Sequence, residues 1–260
     1  MKRVCILLFS GTGMTRYVAC KIKTELEKQK NQVDIFHIEK TLIQHIPLNS
    51  YDMLGIAYPV HSLNAPKIVI NFAKQLPNTE SMNAFVINTV GGQSNFNLAS
   101  SELLIRVLTK KGYDVFYDKQ FLMPSNFIVK NKEDEVKRLI ETVNAEIPRT
   151  AQEILNRVPL RQPGKFSAKL TAFVGRLELP GAGSMAAFYY TDKNCIRCGT
   201  CERNCPNNNI AVDTKKVRFK RKCGLCMRCF YMCPKNSICV RKPFAFIKLK
   251  SWYENEEFKI

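Results

Sequence analysis

The sequence predicts an α/β fold, a doubly wound parallel sheet, followed by a small α+β domain built around cysteine. Three observations predict it. Apolar runs alternate with helical stretches over the N-terminal part of the chain. The first of those runs passes directly into a glycine turn and then into helix-like residues. Toward the C-terminus, eight of the eleven cysteines fall in two copies of one pattern, Cys195-x-x-Cys198-x-x-Cys201-x-x-x-Cys205-Pro206 and Cys223-x-x-Cys226-x-x-Cys229-x-x-x-Cys233-Pro234. Strands that alternate with helices imply a parallel sheet covered on both faces.

The elements follow in order. Arg3 to Phe9 reads RVCILLF, a continuous apolar run that suits a strand buried on both sides, and Ser10-Gly11-Thr12-Gly13-Met14-Thr15 follows it as a loop opening a helix. Further strand-like runs lie at Gln32 to Ile38, Asp52 to Tyr58, Ala84 to Thr89 and Tyr113 to Leu122, with helical stretches between most of them and a helix over about Lys132 to Leu155. The 260 residues, 45% of them hydrophobic, accommodate a domain of ordinary size beside a small one. We divide the chain at 1–157, a connector at 158–188, the cysteine domain at 189–242 and a tail at 243–260. In the connector, Phe166, Leu170, Phe173, Val174 and Leu177 recur at helical spacing among Lys165, Lys169 and Arg176. This amphipathic stripe is expected to dock on one of the two domains, with a membrane surface as the alternative.

The first loop suits a phosphate monoester, because hydroxyls and successive backbone N–H groups at a helix N-terminus bind one without a lysine. The Gly-Lys-Ser/Thr of a P-loop NTPase and the three spaced glycines of a dinucleotide fingerprint are both missing from it. The loop resembles the Ser/Thr-x-Thr-Gly-x-Thr phosphate loop of flavodoxins, and five strands of this spacing resemble their sheet, with strand order 2-1-3-4-5. Met14 stands where asparagine is commonest. The resemblance implies FMN, its phosphate on Ser10, Gly11, Thr12, Gly13, Met14 and Thr15. The ring would lie against the loops after the third and fourth strands, Tyr58-Pro59-Val60-His61-Ser62-Leu63-Asn64 and Thr89-Val90-Gly91-Gly92-Gln93-Ser94-Asn95-Phe96, where ligands of such sheets bind. Gly91 and Gly92 would let the backbone approach the ring. Tyr58, His61 and Phe96 are candidates for stacking on it or simply for packing; His61 is also a candidate donor of a proton or hydrogen bond. His37 and His45 suggest no chemistry.

The cysteine runs match the bacterial pattern for two [4Fe-4S] clusters. Tetrahedral zinc, the alternative, favours two separated cysteine pairs. Since the fourth cysteine of each run ordinarily serves the other cluster, Cys195, Cys198, Cys201 and Cys233 are expected to hold one, and Cys223, Cys226, Cys229 and Cys205 the other. A domain of roughly fifty residues has little core, so metal–thiolate bonds should supply much of its folding energy, and it should unfold without iron. Cys5 and Cys20 are expected to be small buried apolar residues, and Cys239 structural.

A formal charge of +18 leaves about +12 once two clusters and a flavin phosphate at about −2 each are counted. Lys215, Lys216, Arg218, Lys220, Arg221 and Lys222 crowd the link between the cysteine runs; they suit either docking of an acidic redox protein or a solvated loop. No nucleic-acid motif accompanies the charge. No apolar stretch is long enough for a spanning helix, since Leu179 to Thr191 is broken by Pro180, Gly181 and Gly183. The start, MKRVCILLFSGTG, has too short an apolar run for an export signal, which with reduced thiols favours the cytoplasm.

Nearly the full length resembles the fusion proteins of anaerobes in which a flavodoxin-like domain precedes a two-cluster ferredoxin domain. The resemblance implies an iron–sulfur flavoprotein. Electrons would come from a ferredoxin- or flavodoxin-type carrier, pass through the clusters to FMN, and reach a downstream small molecule, quinone or protein. A plain electron carrier with no substrate of its own is the other reading.

Overall fold

The computed structural model describes residues 1–92, 95–126, 131–161 and 183–242. The connector stripe at 166–177, Gln93, Ser94 and the tail lie outside those residues. β1 (Arg3–Leu8) is an interior strand of a five-stranded parallel sheet, with β2 (Gln32–His37) on one side and β3 (Met53–Pro59) on the other, followed by β4 (Met82–Val90) and β5 (Tyr113–Leu122). The strand order β2-β1-β3-β4-β5 is the flavodoxin-like doubly wound order.

Strand side chains alternate between faces, so both faces of β1 need cover, which is why its sequence is apolar without a break. Ile6 and Leu8 face α1 (Met14–Lys28) and α4 (Glu133–Leu155), packing with Val18, Ile22, Val143 and Ile147. Cys5 and Leu7 face α2 (Lys67–Gln75) and α3 (Glu102–Thr109), with Val69, Phe72, Leu104 and Leu108. Cys5 is buried as expected, its thiol pushed up to about 12 by burial and then by Asp34. Cys20 is not: it sits on the outward side of α1 and is exposed. Between β2 and β3 the chain makes two 3-10 turns, Ile43–His45 and Leu48–Ser50. Beyond α4 it returns to the free edge of β5, where Leu160 exchanges backbone hydrogen bonds with Phe116 and Asp118.

The cysteine domain is built from two short antiparallel pairs and two single-turn helices. β6 (Tyr189–Thr191) pairs with β9 (Ile238–Val240), and β7 (Ile210–Val212) with β8 (Val217–Phe219). The helices α5 (Thr200–Arg203) and α6 (Arg228–Tyr231) each carry the third cysteine of a run. Among the described residues its buried apolar cluster is small, Ala186, Tyr189, Met227, Phe230, Ile238 and Val240, with Phe219 and Phe230 set edge-on against the Tyr189 ring. Cys239 lies within β9 opposite Tyr190, a strand residue.

The two cysteine runs are an internal repeat in space as well as in sequence. Left-handed backbone recurs at matching positions, φ 51° and 50° at Arg197 and Leu225, 75° and 61° at Gly199 and Met227, and 49° and 48° at Asn208 and Asn236. Among the described residues no helix is long and apolar enough to cross a membrane.

Candidate cofactor site at the domain junction

The carboxyl ends of β1, β3, β4 and β5 open into one hollow. Its walls include Ser10, Gly11, Thr12, Met14 and Thr15 from the first loop, Pro59 to Ser62 after β3, and Thr89 to Gly91 at the end of β4. It encloses roughly 740 Å³ of space unfilled by atoms, open mouth included.

The first loop is held in shape by its own hydroxyls. Ser10 Oγ accepts the N–H groups of Gly13 (3.2 Å) and Arg16 (3.3 Å), and Gly13, at φ 97°, turns the chain into α1. Apart from that bond to Arg16 no side chain caps α1, and its first turn has no acidic residue, so the helix presents the N–H groups of Met14 and Thr15 and the positive end of its dipole to the hollow. Thr15 and Thr89, both buried, share a hydroxyl–hydroxyl bond of 2.8 Å that ties the loop to β4. Thr12 Oγ1 accepts from Asn126 Nδ2, tying it to the segment after β5.

Most residues expected at the cofactor line this hollow; Gly13, Tyr58 and Gly92 do not. Tyr58 is fully buried on the α2/α3 face of the sheet, where burial and Asp118 hold its phenol well above the ordinary value. Its side chain is enclosed in that cluster and does not line the hollow, so Tyr58 is packing. Gly92 faces open space, whereas a Cβ on Gly91 would come 3.1 Å from Ser125 Cα, so only Gly91 needs to be glycine for a close approach. Phe96 falls in the 3-10 turn Asn95–Ala99, and its side chain lies outside the described set. His61 sits on a tight turn whose central residues, Ser62 and Leu63, have φ of 44° and 60°. Its ring packs edge-on to Phe9 at 6.3 Å and donates to the Gly224 carbonyl; burial pushes its pKa down to about 4, partly offset by that bond. Neutral at ordinary pH, His61 serves as a contact between domains.

The remaining wall was not foreseen. Met123, Pro124 and Asn126 follow β5, and Leu225, Cys226 and Met227 come from the second cysteine run. The rule that ligands lie beyond strand carboxyl ends covers the first three; no local signal in the sequence marks the others. Contact is close enough that a Cβ on Gly11 would meet the Cys226 carbonyl oxygen at 2.1 Å. Arg228, 1% exposed, reaches out of the cysteine domain: its Nη2 donates to the Ser10 carbonyl at 2.5 Å and to Glu39 Oε1 at 2.6 Å.

The eight thiols sort into two groups. Cys205, Cys223, Cys226 and Cys229 line a second small hollow with Tyr189 and Phe230. Burial raises the last three thiols, Cys223 to about 12, and the nearby Cys205 adds to each. Burial raises Cys201 to about 11, its own neighbours being Cys233 and Cys195. Cys198 is exposed, and its thiol is lowered by the Thr200 hydroxyl 3.3 Å away. Cys205 thus stands with the first three cysteines of the second run, and Cys233 with Cys201 of the first, as a crossed arrangement requires. Among the described residues no His, Cys, Asp and Glu side chains gather tightly enough for a single ion; a cubane spreads its thiolates around a larger body. Backbone N–H groups of Asn209, Ser237 and Leu225 donate to the sulfurs of Cys205 (3.2 Å), Cys233 (3.3 Å) and Cys223 (3.4 Å), a pattern that stabilises thiolate charge.

A family model described as 4Fe-4S binding domain matches residues 188–211, which contain the first run. No curated protein matches the chain. Among solved structures, the flavodoxin of Streptococcus pneumoniae TIGR4 is 17% identical, covering 57% of this chain and 97% of its own with a TM-score of 0.37. Flavodoxin 2 from Bacillus cereus is 15% identical over 60% and 99% (TM-score 0.44), and Megasphaera elsdenii flavodoxin 19% identical over 55% and 98% (TM-score 0.38). The assignment of the sheet rests on its own strand order. The chain therefore joins a flavodoxin-like sheet to an iron–sulfur domain.

Proposed function

We propose that this chain is an iron–sulfur flavoprotein carrying two [4Fe-4S] clusters and FMN, which passes electrons from a soluble carrier to a downstream acceptor. The observation that carries it is the shared hollow, walled by the phosphate-type loop on one side and by Cys226 on the other. FMN, when bound, exchanges one or two electrons, whereas each cluster exchanges one, so the pair joins one-electron supply to two-electron chemistry.

The chain's residues divide the work. The open N–H groups at the start of α1, with the Thr12 and Thr15 hydroxyls, would hold the flavin phosphate. Pro59 to Ser62 and Thr89 to Gly91 would border the ring. Cys205, Cys223, Cys226 and Cys229 would ligate the cluster beside the hollow, and Cys195, Cys198, Cys201 and Cys233 the distal one. Buried thiols lose their protons on taking up iron, so loading the domain releases protons.

An acidic redox protein of ferredoxin or flavodoxin type fits the distal corner. Ile196, 59% exposed, lies two residues from the exposed Cys198, and Lys193, Arg197 and Arg203 of the same stretch and Lys235 beyond the second run are exposed, with Glu202 an exposed acid among them. An apolar contact amid these cations would steer and seat such a carrier, with the exposed β7–β8 hairpin and Lys220 to Lys222 extending the positive field.

An anaerobic reductive titration of the reconstituted protein tests the reading, with visible spectra following flavin and electron paramagnetic resonance following clusters. Two reducible cubanes and a reducible flavin are expected. One-electron flavin steps indicate a relay between proteins; two-electron reduction indicates a reductase with a small-molecule acceptor. A chain that takes up no flavin overturns the reading.

A further inference from the structure

Within the repeat, the position of Thr200 in the first run is taken by Arg228 in the second, and that of Gly199 by Met227. Thr200 stays local, its hydroxyl beside Cys198. Arg228 instead bonds Ser10 and Glu39, more than 180 residues back in the chain, and its guanidinium lies 5.8 Å from the Phe9 ring centre. All three partners sit at the carboxyl ends of β1 and β2. Ser10 is also the residue whose hydroxyl shapes the phosphate-type loop. On that loop Gly11 has no side chain, and Cys226 fills the place where one would be. The two runs share only their cysteines and the proline after them, and among the positions where they differ Arg228 is the one whose side chain bonds the ends of β1 and β2, with Met227 before it keeping the left-handed backbone of Gly199.

We propose that Arg228 is a positioning residue, one that seats the Cys226 loop on Gly11 and fixes the distance between the proximal thiol group and the hollow. Both partners of the Arg228–Glu39 pair have side chains at most 3% exposed, and Arg228 Nε and Glu39 Oε2 have no partner among the described residues. A buried pair so incompletely satisfied is weak evidence for stability and better suited to fixing one docking register.

The test uses the full iron-loaded chain with Arg228→Met and Glu39→Gln together, so that no lone charge is left buried. Amide hydrogen exchange should rise at 8–14 and at 224–230 together, while the β3 and β4 core and the 195–205 run keep wild-type protection. Unchanged exchange at both segments overturns the proposal. Should the double variant lose its iron, Gly11→Ala asks the same question with every charge retained: its Cβ must displace the Cys226 loop, the same two segments should open, and silence there overturns the proposal equally.

The second readout rests on the function proposed above. Flash reduction of the clusters in the double variant should show transfer to flavin slowed by at least about tenfold, with iron and flavin content unchanged. A wild-type rate overturns the positioning role. Absence of flavin from the wild-type chain would overturn the functional reading and leave the exchange measurement to decide on Arg228.

Discussion

Thr12→Asp puts a charge where a phosphate is expected while changing little else. The Thr12 hydroxyl is buried and accepts from Asn126 Nδ2, a bond that a carboxylate accepts equally well. Because the first turn of α1 has no acidic residue, the new carboxylate also meets the positive end of the helix, worth about 0.3–1 kcal/mol in favour of the flavin-free protein. A phosphate monoester carries about −1.5 to −2. At about 5 Å each pair of unit charges repels by about 3 kcal/mol at an effective dielectric near 20, and by about 0.8 in bulk water. Flavin binding should therefore weaken by about 2–6 kcal/mol, roughly thirtyfold to 25,000-fold in Kd, while the flavin-free chain melts no earlier. Titration of flavin-stripped protein with FMN, read by fluorescence quenching, measures this. Thr12→Asn has nearly the same shape without charge and should stay within about tenfold of wild type. Equal affinity of the Asp and Asn variants would refute a phosphate at this loop.

Cys226→Ala and Cys198→Ala should each cost mainly one cluster, counted as iron per chain and by electron paramagnetic resonance; two intact cubanes in either variant would contradict the ligand sets. Removing all iron should melt residues 183–242, whose buried apolar cluster is small, and leave the sheet domain folded by circular dichroism and hydrogen exchange. The His61 ring, held down to about 4 by burial, gives stability a pH dependence. Unfolded, the ring takes up its proton near its ordinary value, and folded it refuses until about 4. Its contribution is therefore present above the unfolded value and is lost as pH falls through that window, by at most about 2 kcal/mol between about pH 7 and about pH 5. Denaturant titrations of wild type and His61→Gln should diverge over that interval; parallel curves would place His61 outside the junction.

Strands were legible because burial on both faces gives β1 and β3 nearly unbroken apolar runs while the edge strands β2 and β5 mix apolar with polar residues: β5 begins and ends at the residues its pattern marks, and the others differ by one or two. The first loop was legible because phosphate binding by main-chain groups needs small and hydroxylated residues next to a helix start. Tyr58 was misplaced because a residue near a strand end points to either face according to register, and register belongs to the whole sheet. Cys20 was misplaced because a cysteine carries no periodicity of its own, and the outward side of α1 accepts it as readily as the core.

By itself the sequence determined what short-range geometry controls: the alternation that builds the sheet, the loop that opens α1, and the cysteine spacing that wraps thiols around a cluster. Only the tertiary structure decided which thiol group stands next to the hollow, that Leu225, Cys226 and Met227 form its fourth wall, and that Arg228 reaches Ser10 across 218 residues of chain. Those contacts arise from two folded surfaces meeting. Each residue in them is chosen by the shape and charge of the opposite surface, and its sequence neighbours carry no record of that choice.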